Sequence, residues 1–527
     1  MKTTLLINGR IHTQADGLVV NSLAIHKNRV VAIGNNLEHD IDFRSYARLD
    51  LGGKCVTPGF VDAHAHFLFF ALTFGHIRLE GLLSLSDYLK EIKFQARRLP
   101  RDAWVVGEGY SPDQLNSPGQ SPKEILDSIT CGRPAILLSK DQHSAWVNSK
   151  ALEIAGICRN TVDPKGGRID RTDNGEPSGL LFEMATYKSV LDRVKPPSSR
   201  QIHRLYGQAL KWAYRHGVTG IHSFDGPEAL DYFRERAQNG RLGIRINHYP
   251  RAEMMSRLKE ERVYYGSGDE FLRIAGIKIF SDGSLVSQTA LCFHKYAGSN
   301  ENYGIEVNST RGMIKVIREA AKLGFPCAIH AIGDRAVCNV LDAFEQAPRL
   351  FFGARHRIEH LQLIRRKDIS CLKRQGIVCS MQPSHCPSDV PLIDKYWGRQ
   401  GKNAFIFRTL IDSGIELAFG SDAPIEPLNP LAGVAAAVRR APQGKRKLFY
   451  PEQRISVAEA LHCFTVGPAI ASGQEHCRGK LLPGYPADFV VLSDDLTRIP
   501  ASKLYDVEVL ATALDGRWVY TQDAFSV

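Results

Sequence analysis

The chain lacks any C-x-x-C pair, any internal repeat, any low-complexity linker and any apolar run of membrane-spanning length. Its eleven cysteines are scattered and odd in number, which excludes a disulfide framework or a zinc ribbon as the organising principle and fits a reducing cytosol. The run "FLFFALTF" falls far short of the roughly 20 apolar residues a membrane helix needs. The N-terminal "MKTTLLINGRIHTQ" offers three apolar residues before a turn-like Asn8-Gly9, too few for a secretory core. Secretion and membrane insertion are therefore disfavoured, and a cytoplasmic location is expected. A nucleic-acid motif is also missing. The formal net charge of +11 is spread through pairs such as those beginning at Arg97, Arg365 and Arg439, and reads as solvated faces.

Apolar residues make up 43% and charged residues 23%, the balance of a folded protein, so long disordered spans are excluded. A length of 527 residues exceeds one simple domain and suits a barrel of about 250 residues with large insertions or a second domain. Both ends are β-rich: "TTLLINGRIHT" and "SLAIHKNRVVAIG" are answered by "GYPADFVVLSDD" and "VLATALDGRWVYT", and the termini are expected to pair into one small β domain. Between them the rhythm changes. From Gly217 onward short apolar runs alternate with helical patterns such as "TRGMIKVIREAAKLG": "VTGIHSF", "LGIRINHY", "RIAGIKIFSDG", "PCAIHAIGD", "RHRIEHLQ", "GIVCSMQP" and "IELAFGSDAP". With the strand in "TPGFVDAHAHFLFF" they number eight, as a parallel barrel covered on both faces requires. The long segment between the first two strands reads as an insertion forming a lid or cap over the C-terminal face.

A strand repeats every two residues, so His64 and His66 face one side, with Asp62 on the same face. Two neutral imidazoles suit a divalent metal, although the pair alone is equally compatible with unrelated histidines at a strand end. The ends of the other strands are selective: Lys278 on the fourth, His330 on the fifth, His360 on the sixth and Asp422 on the eighth. A lysine amid "IAGIKIF" is costly to bury as an ammonium, which lowers its pKa and makes a neutral amine available.

The ordered set "PGFVDAHAHF", "DQHSAWVNSKALEIAGI", "GGRIDRTDNGEPSGLLFE", "GIKIFSDGSL", "IHAIGDRAV", "RIEHLQ", "MQPSH", "LAFGSDAPIEPLNP" and "PADFVVL" resembles the metal-dependent amidohydrolase superfamily nearly end to end, in its amidohydrolase-3 branch that includes proteins similar to N-substituted formamide deformylase. The resemblance implies an α/β fold: a distorted (β/α)8 TIM barrel over 58–477 with a large insertion at about 70–215 after strand one, and a composite β-sandwich from 1–57 and 478–527. It implies hydrolysis of an amide-type, non-peptide C–N bond in a small linear N-substituted amide by metal-activated hydroxide. His64, His66, His330, His360 and Asp422 match the metal ligands, and Lys278 matches a lysine that in many relatives is carboxylated and bridges two metals. This N and O donor set suits zinc, with manganese, iron, cobalt or nickel as alternatives, as one ion or, if Lys278 is carboxylated, two. Asp422 is also the expected proton shuttle.

Further residues carry weaker expectations. His143 stands where this branch usually has Asp-Gly-His, with Gln142 in place of the glycine, and is a candidate substrate contact or a structural loop histidine. His385 follows strand seven and could hold substrate or the tetrahedral oxygen. Trp104 and Trp146 could line a substrate pocket or fill the insertion's core. The alternative for Lys278 is an ion pair with Asp282. The expected partner is a small-molecule amide, with neither nucleic acid nor membrane, and a homodimer is left open. The competing functions are deamination or cyclic-amide hydrolysis by the same chemistry, and a non-catalytic scaffold, which would be expected to have lost ligands.

Overall fold

In the computed structural model the apolar runs become parallel strands: β1 (Phe60–Ala65), β2 (Val218–Ser223), β3 (Arg245–His248), β4 (Ile277–Phe280), β5 (Cys327–Ala331), β6 (Arg357–His360), β7 (Val378–Met381) and β8 (Leu417–Phe419). Residues 3–523 and 525 are described, apart from 83, 116–118, 140–143, 165–166, 183, 349, 351–352 and 445–446. β2 pairs with β1 and β3, and β3 pairs with a short strand, Leu272–Ile274. β4 to β8 pair in sequence order. Two parallel bridges join the two sheets, Arg251 with Lys278 and Ala65 with Ala423. The break before β4 falls at Gly276, where a Cβ would lie 2.8 Å from the Tyr249 ring and 2.9 Å from the Pro326 carbonyl oxygen, so only glycine fits.

The alternation within these strands separates structure from chemistry. On β4 and β5 the residues Ile277, Ile279, Cys327, Ile329 and Ala331 enter the main apolar core, while Lys278, Phe280, Ala328 and His330 take the other face. That core also receives Met313, Ile317 and Ala320 from the helix Thr310–Lys322, whose N-terminus is capped by the Ser309 hydroxyl.

The N-terminal residues form a four-stranded sheet of Thr3–Ile7, Ser22–His26, Arg29–Gly34 and Ala47–Asp50. A second sheet joins the two ends of the chain: Cys55–Pro58 pairs with Arg10–His12 and, antiparallel, with Phe489–Leu492. Cys55–Pro58 runs into β1 through Gly59, whose missing side chain makes room for Thr219, 2.3 Å from where a Cβ would stand. Arg245 at the start of β3 donates to Asp488 at 2.6 Å and Asp515 at 2.9 Å, fastening the strand to this sheet.

The chain divides into two compact units, Met1–Phe70 with Ala209–Val527, and Ala71–Gln208. The second has its own six-stranded sheet and two apolar clusters. Trp146 is fully buried there and donates to the Pro122 carbonyl at 2.7 Å, so it belongs to the core. Trp104 is partly buried against the other cluster. Among the described residues no helix is long and apolar enough to cross a membrane.

His248, at the end of β3, is fully buried, meets the Ser223 hydroxyl at 3.1 Å and packs edge-on to Phe233. Burial pushes its pKa down to about 3. A depressed histidine contributes nothing against stability above its ordinary value of about 6.5; below it the unfolded chain takes up a proton that the folded one refuses, and stability falls toward pH 3. Replacing His248 with Gln should reduce the loss of stability between pH 6 and 4 by about 1.4 kcal/mol per pH unit, read from urea midpoints. An unchanged slope would mean that His248 is charged in the folded state.

Candidate metal centre

The period of β1 brings His64 and His66 to the same side, and the chain beyond β8 brings Asp422 to meet them. Asp422 Oδ1 lies 3.5 Å from His64 Nε2 and 3.4 Å from His66 Nε2. One donor atom from each of the three falls within a 4.8 Å group. These separations exceed a good hydrogen bond. They match the about 3.3 Å between ligand atoms around a tetrahedral ion bound at about 2.0–2.1 Å. His64 Nε2 is buried and has no hydrogen-bond partner, an orphan that a metal ion would satisfy.

The other nitrogen of each deeper imidazole is committed. His64 Nδ1–H donates to Glu359 Oε2 at 2.6 Å, His330 Nδ1–H to Asp282 Oδ1 at 3.1 Å, and His360 Nδ1–H to Gln382 Oε1 at 2.9 Å. Nε2 is thereby left on all three rings, the tautomer a metal requires. The His360 ring centre is 4.8 Å from that of His64 and 4.6 Å from that of His330. His64 stacks on Phe224 at 4.1 Å. Burial, helped by Lys278, lowers the His64 pKa to about 4, so its imidazole is neutral at pH 7.

Glu359, Asp282 and Gln382 were not foreseen in these supporting roles. Asp282 also accepts the backbone N–H groups of Leu291, Ile332 and Gly333, at 2.9, 3.1 and 2.9 Å. It is therefore not the counter-ion of Lys278: among the described residues no carboxylate lies within 4.0 Å of that ammonium, and the expected alternative pair is not formed. Asp62 shares the strand face of His64 and His66 but is committed elsewhere. It accepts the N–H groups of His64 and Ser421 at 3.0 Å each, so it fastens β1 to the segment after β8 and does not join the donor group. For Glu359 burial alone would raise the carboxyl, but Arg357 and His64 hold it well below the usual carboxylate range.

Lys278 is buried, with Nζ 4.7 Å from the centre of the Phe224 ring and 4.9 Å from that of Phe280. Burial brings its pKa down to about 8, against the pull of Glu359 and Asp422, and makes a neutral amine accessible near neutral pH. His385 begins a helix after β7, and its Nε2 lies 3.6 Å from Asp422 Oδ2. Burial alone would depress its pKa; Asp422 and Asp389 outweigh that and raise it to about 9. His143 lies outside the described residues.

The amidohydrolase family profile, Amidohydro_3, matches residues 48–520. The chain belongs to the amidohydrolase family. It is similar to YtcJ of Bacillus subtilis, at 35% identity over 90% of each chain, and to N-substituted formamide deformylase of Arthrobacter pascens, at 25% identity over 98% of each. Among solved structures it resembles an uncharacterized metal-dependent hydrolase from Pyrococcus horikoshii, with TM-score 0.80 and 28% identity over 95% of this chain and 99% of that one. Family membership and this neighbour support a metal-dependent hydrolase.

A carboxylate behind a metal-binding histidine fixes its tautomer and raises its basicity. Replacing Glu359 with Gln should weaken zinc binding by about 10- to 100-fold, measured by calorimetric titration of metal-stripped protein with the circular dichroism unchanged. Undiminished affinity would show that His64 needs no such support.

Proposed function

We propose that this amidohydrolase cleaves the C–N bond of a small linear N-substituted amide. The observation that carries the reading is the orphaned, buried Nε2 of His64 beside His66 and Asp422. The formamide deformylase relative supports the choice of bond. Within this reading 58–477 form one distorted (β/α)8 barrel with the insertion at about 70–215, and 1–57 with 478–527 form a composite β-sandwich. The free state of all eleven cysteines fits a cytoplasmic enzyme.

His64, His66 and Asp422 would hold one ion. His330 and His360 would hold a second, and Lys278 would supply a further oxygen ligand if its neutral amine added carbon dioxide and released a proton. When bound, a divalent ion such as zinc supplies activated water near neutral pH and polarises the substrate carbonyl. Asp422 takes the proton from water and delivers it to the departing nitrogen, which must leave as an amine. His385, 3.6 Å from Asp422, is placed to donate to the oxygen that gains charge as the carbonyl carbon becomes tetrahedral.

Elemental analysis should find one to two divalent ions per chain, and a screen of N-formyl and N-acyl amines against cyclic amides and aminated bases should give turnover in the first group. Asp422→Asn keeps the size and one ligand oxygen, and Asn tolerates the backbone φ of +61° at this position. Its turnover should fall by about 10² or more while metal content falls much less. Near-normal turnover would assign the proton to another group, and turnover confined to aminated bases would make the enzyme a deaminase.

A further inference from the structure

Arg251 lies three residues beyond the end of β3, at the end of the strands that carries the candidate ligands. It forms a parallel bridge with Lys278, whose N–H donates to the Pro250 carbonyl at 2.8 Å. Bridge partners in a sheet direct their side chains to one face, and Lys278 and Phe280, two residues apart, share a face as well. The contacts agree: the Arg251 guanidinium is 5.9 Å from the centre of the Phe280 ring, Lys278 Nζ is 4.9 Å from it, and the His330 ring 5.4 Å. One aromatic ring thus separates Arg251 from a candidate ligand. Arg251 and Phe280 are both half-buried, so neither is sealed from an incoming molecule.

Among the described residues this guanidinium has no anion partner: no carboxylate lies within 4.0 Å of it, whereas the nearby Arg245 and Arg357 are both paired with acids. Its Nε is buried and has no hydrogen-bond partner. The Phe280 ring, 5.9 Å away, offers the group a π face but no acceptor for its N–H groups, and Nε–H stays unmet. A half-buried guanidinium whose Nε–H is unanswered matches an oxygen of a planar carboxylate.

We infer that Arg251 anchors a carboxylate of the substrate, so that the amide cleaved belongs to an N-acylated amino acid or a similar acid. The inference rests on the amide-hydrolase reading and narrows it. The test uses metal-loaded protein and two compounds that differ only in the acid group, N-formylphenylalanine and N-formyl-2-phenylethylamine. Wild type should favour the acid at least tenfold in kcat/KM, mainly through KM. Arg251→Gln should erase that ratio, and Arg251→Lys should restore part of it. Calorimetry provides a readout independent of turnover: the acid should bind wild type at least tenfold more tightly than the neutral compound, and Arg251→Gln should lose the difference. Hydrolysis without preference for the acid, or a preference that survives Arg251→Gln, overturns the inference and leaves amide hydrolysis standing. A loss of metal in Arg251→Gln with the ratio unchanged overturns it too, because the arginine would then serve the metal site. Preferential binding of the acid without hydrolysis of either compound would keep the carboxylate anchor and remove the amide reading.

Discussion

The inner faces of the parallel strands are organised around one buried ion pair. Arg357 on β6 is almost fully buried and binds the Glu359 carboxylate through Nε at 2.6 Å. Its remaining N–H groups reach the Ala63 carbonyl on β1, His222 on β2, the Tyr249 hydroxyl just past β3 and Ser380 on β7. Its guanidinium lies 5.4 Å from the centre of the Phe224 ring and 5.0 Å from that of Tyr249. A buried pair is costly to desolvate, and one left half-satisfied costs about 3–5 kcal/mol. Here the fork is filled, so the desolvation is offset by hydrogen bonds that also connect several strands. The functional consequence passes through Glu359: the carboxylate that Arg357 fixes is the one that turns His64 and leaves its Nε2 for a metal.

A second constraint lies in the backbone. Consecutive strand residues face opposite sides, yet Glu359 and His360 both contribute to the same centre. The chain resolves this at His360, where φ is +73°, followed by Leu361 at +43°. Asp422 after β8 also sits in the left-handed region, at +61°, and its N–H donates to the His64 carbonyl at 2.7 Å. Such conformations cost about 1–3 kcal/mol each and persist where surrounding contacts hold them. Two of these three residues, His360 and Asp422, are candidate ligands.

These two constraints explain what could be read from the sequence. The eight strands were legible because they are buried on both faces and read as apolar runs between turns. His64 and His66 were legible because a period of two is all their placement needs. Glu359 was passed over beside His360 because strict alternation gives only one of two neighbours to the site, and no local signal announces a left-handed residue there. Alternation places Asp62 on the face of His64 and His66, but the Ser421 amide that captures it arrives from the far end of the chain, beyond any local signal. Asp282 and Gln382 stand within the quoted strand motifs, yet their duty is to a histidine on a neighbouring strand, and register between strands is invisible in one sequence. Arg251 stands in no motif, and only the bridge to Lys278 gives its direction.

The central claim is that histidine nitrogen and carboxylate oxygen, and no sulfur, hold a metal in this fold. X-ray absorption at the zinc edge of the loaded protein tests it most directly. A first shell of nitrogen and oxygen at about 2.0–2.1 Å, with the outer-shell pattern of several imidazoles that weakens in His64→Ala, is the predicted result. Sulfur at about 2.3 Å, or a shell of oxygen alone that His64→Ala leaves unchanged, would contradict it.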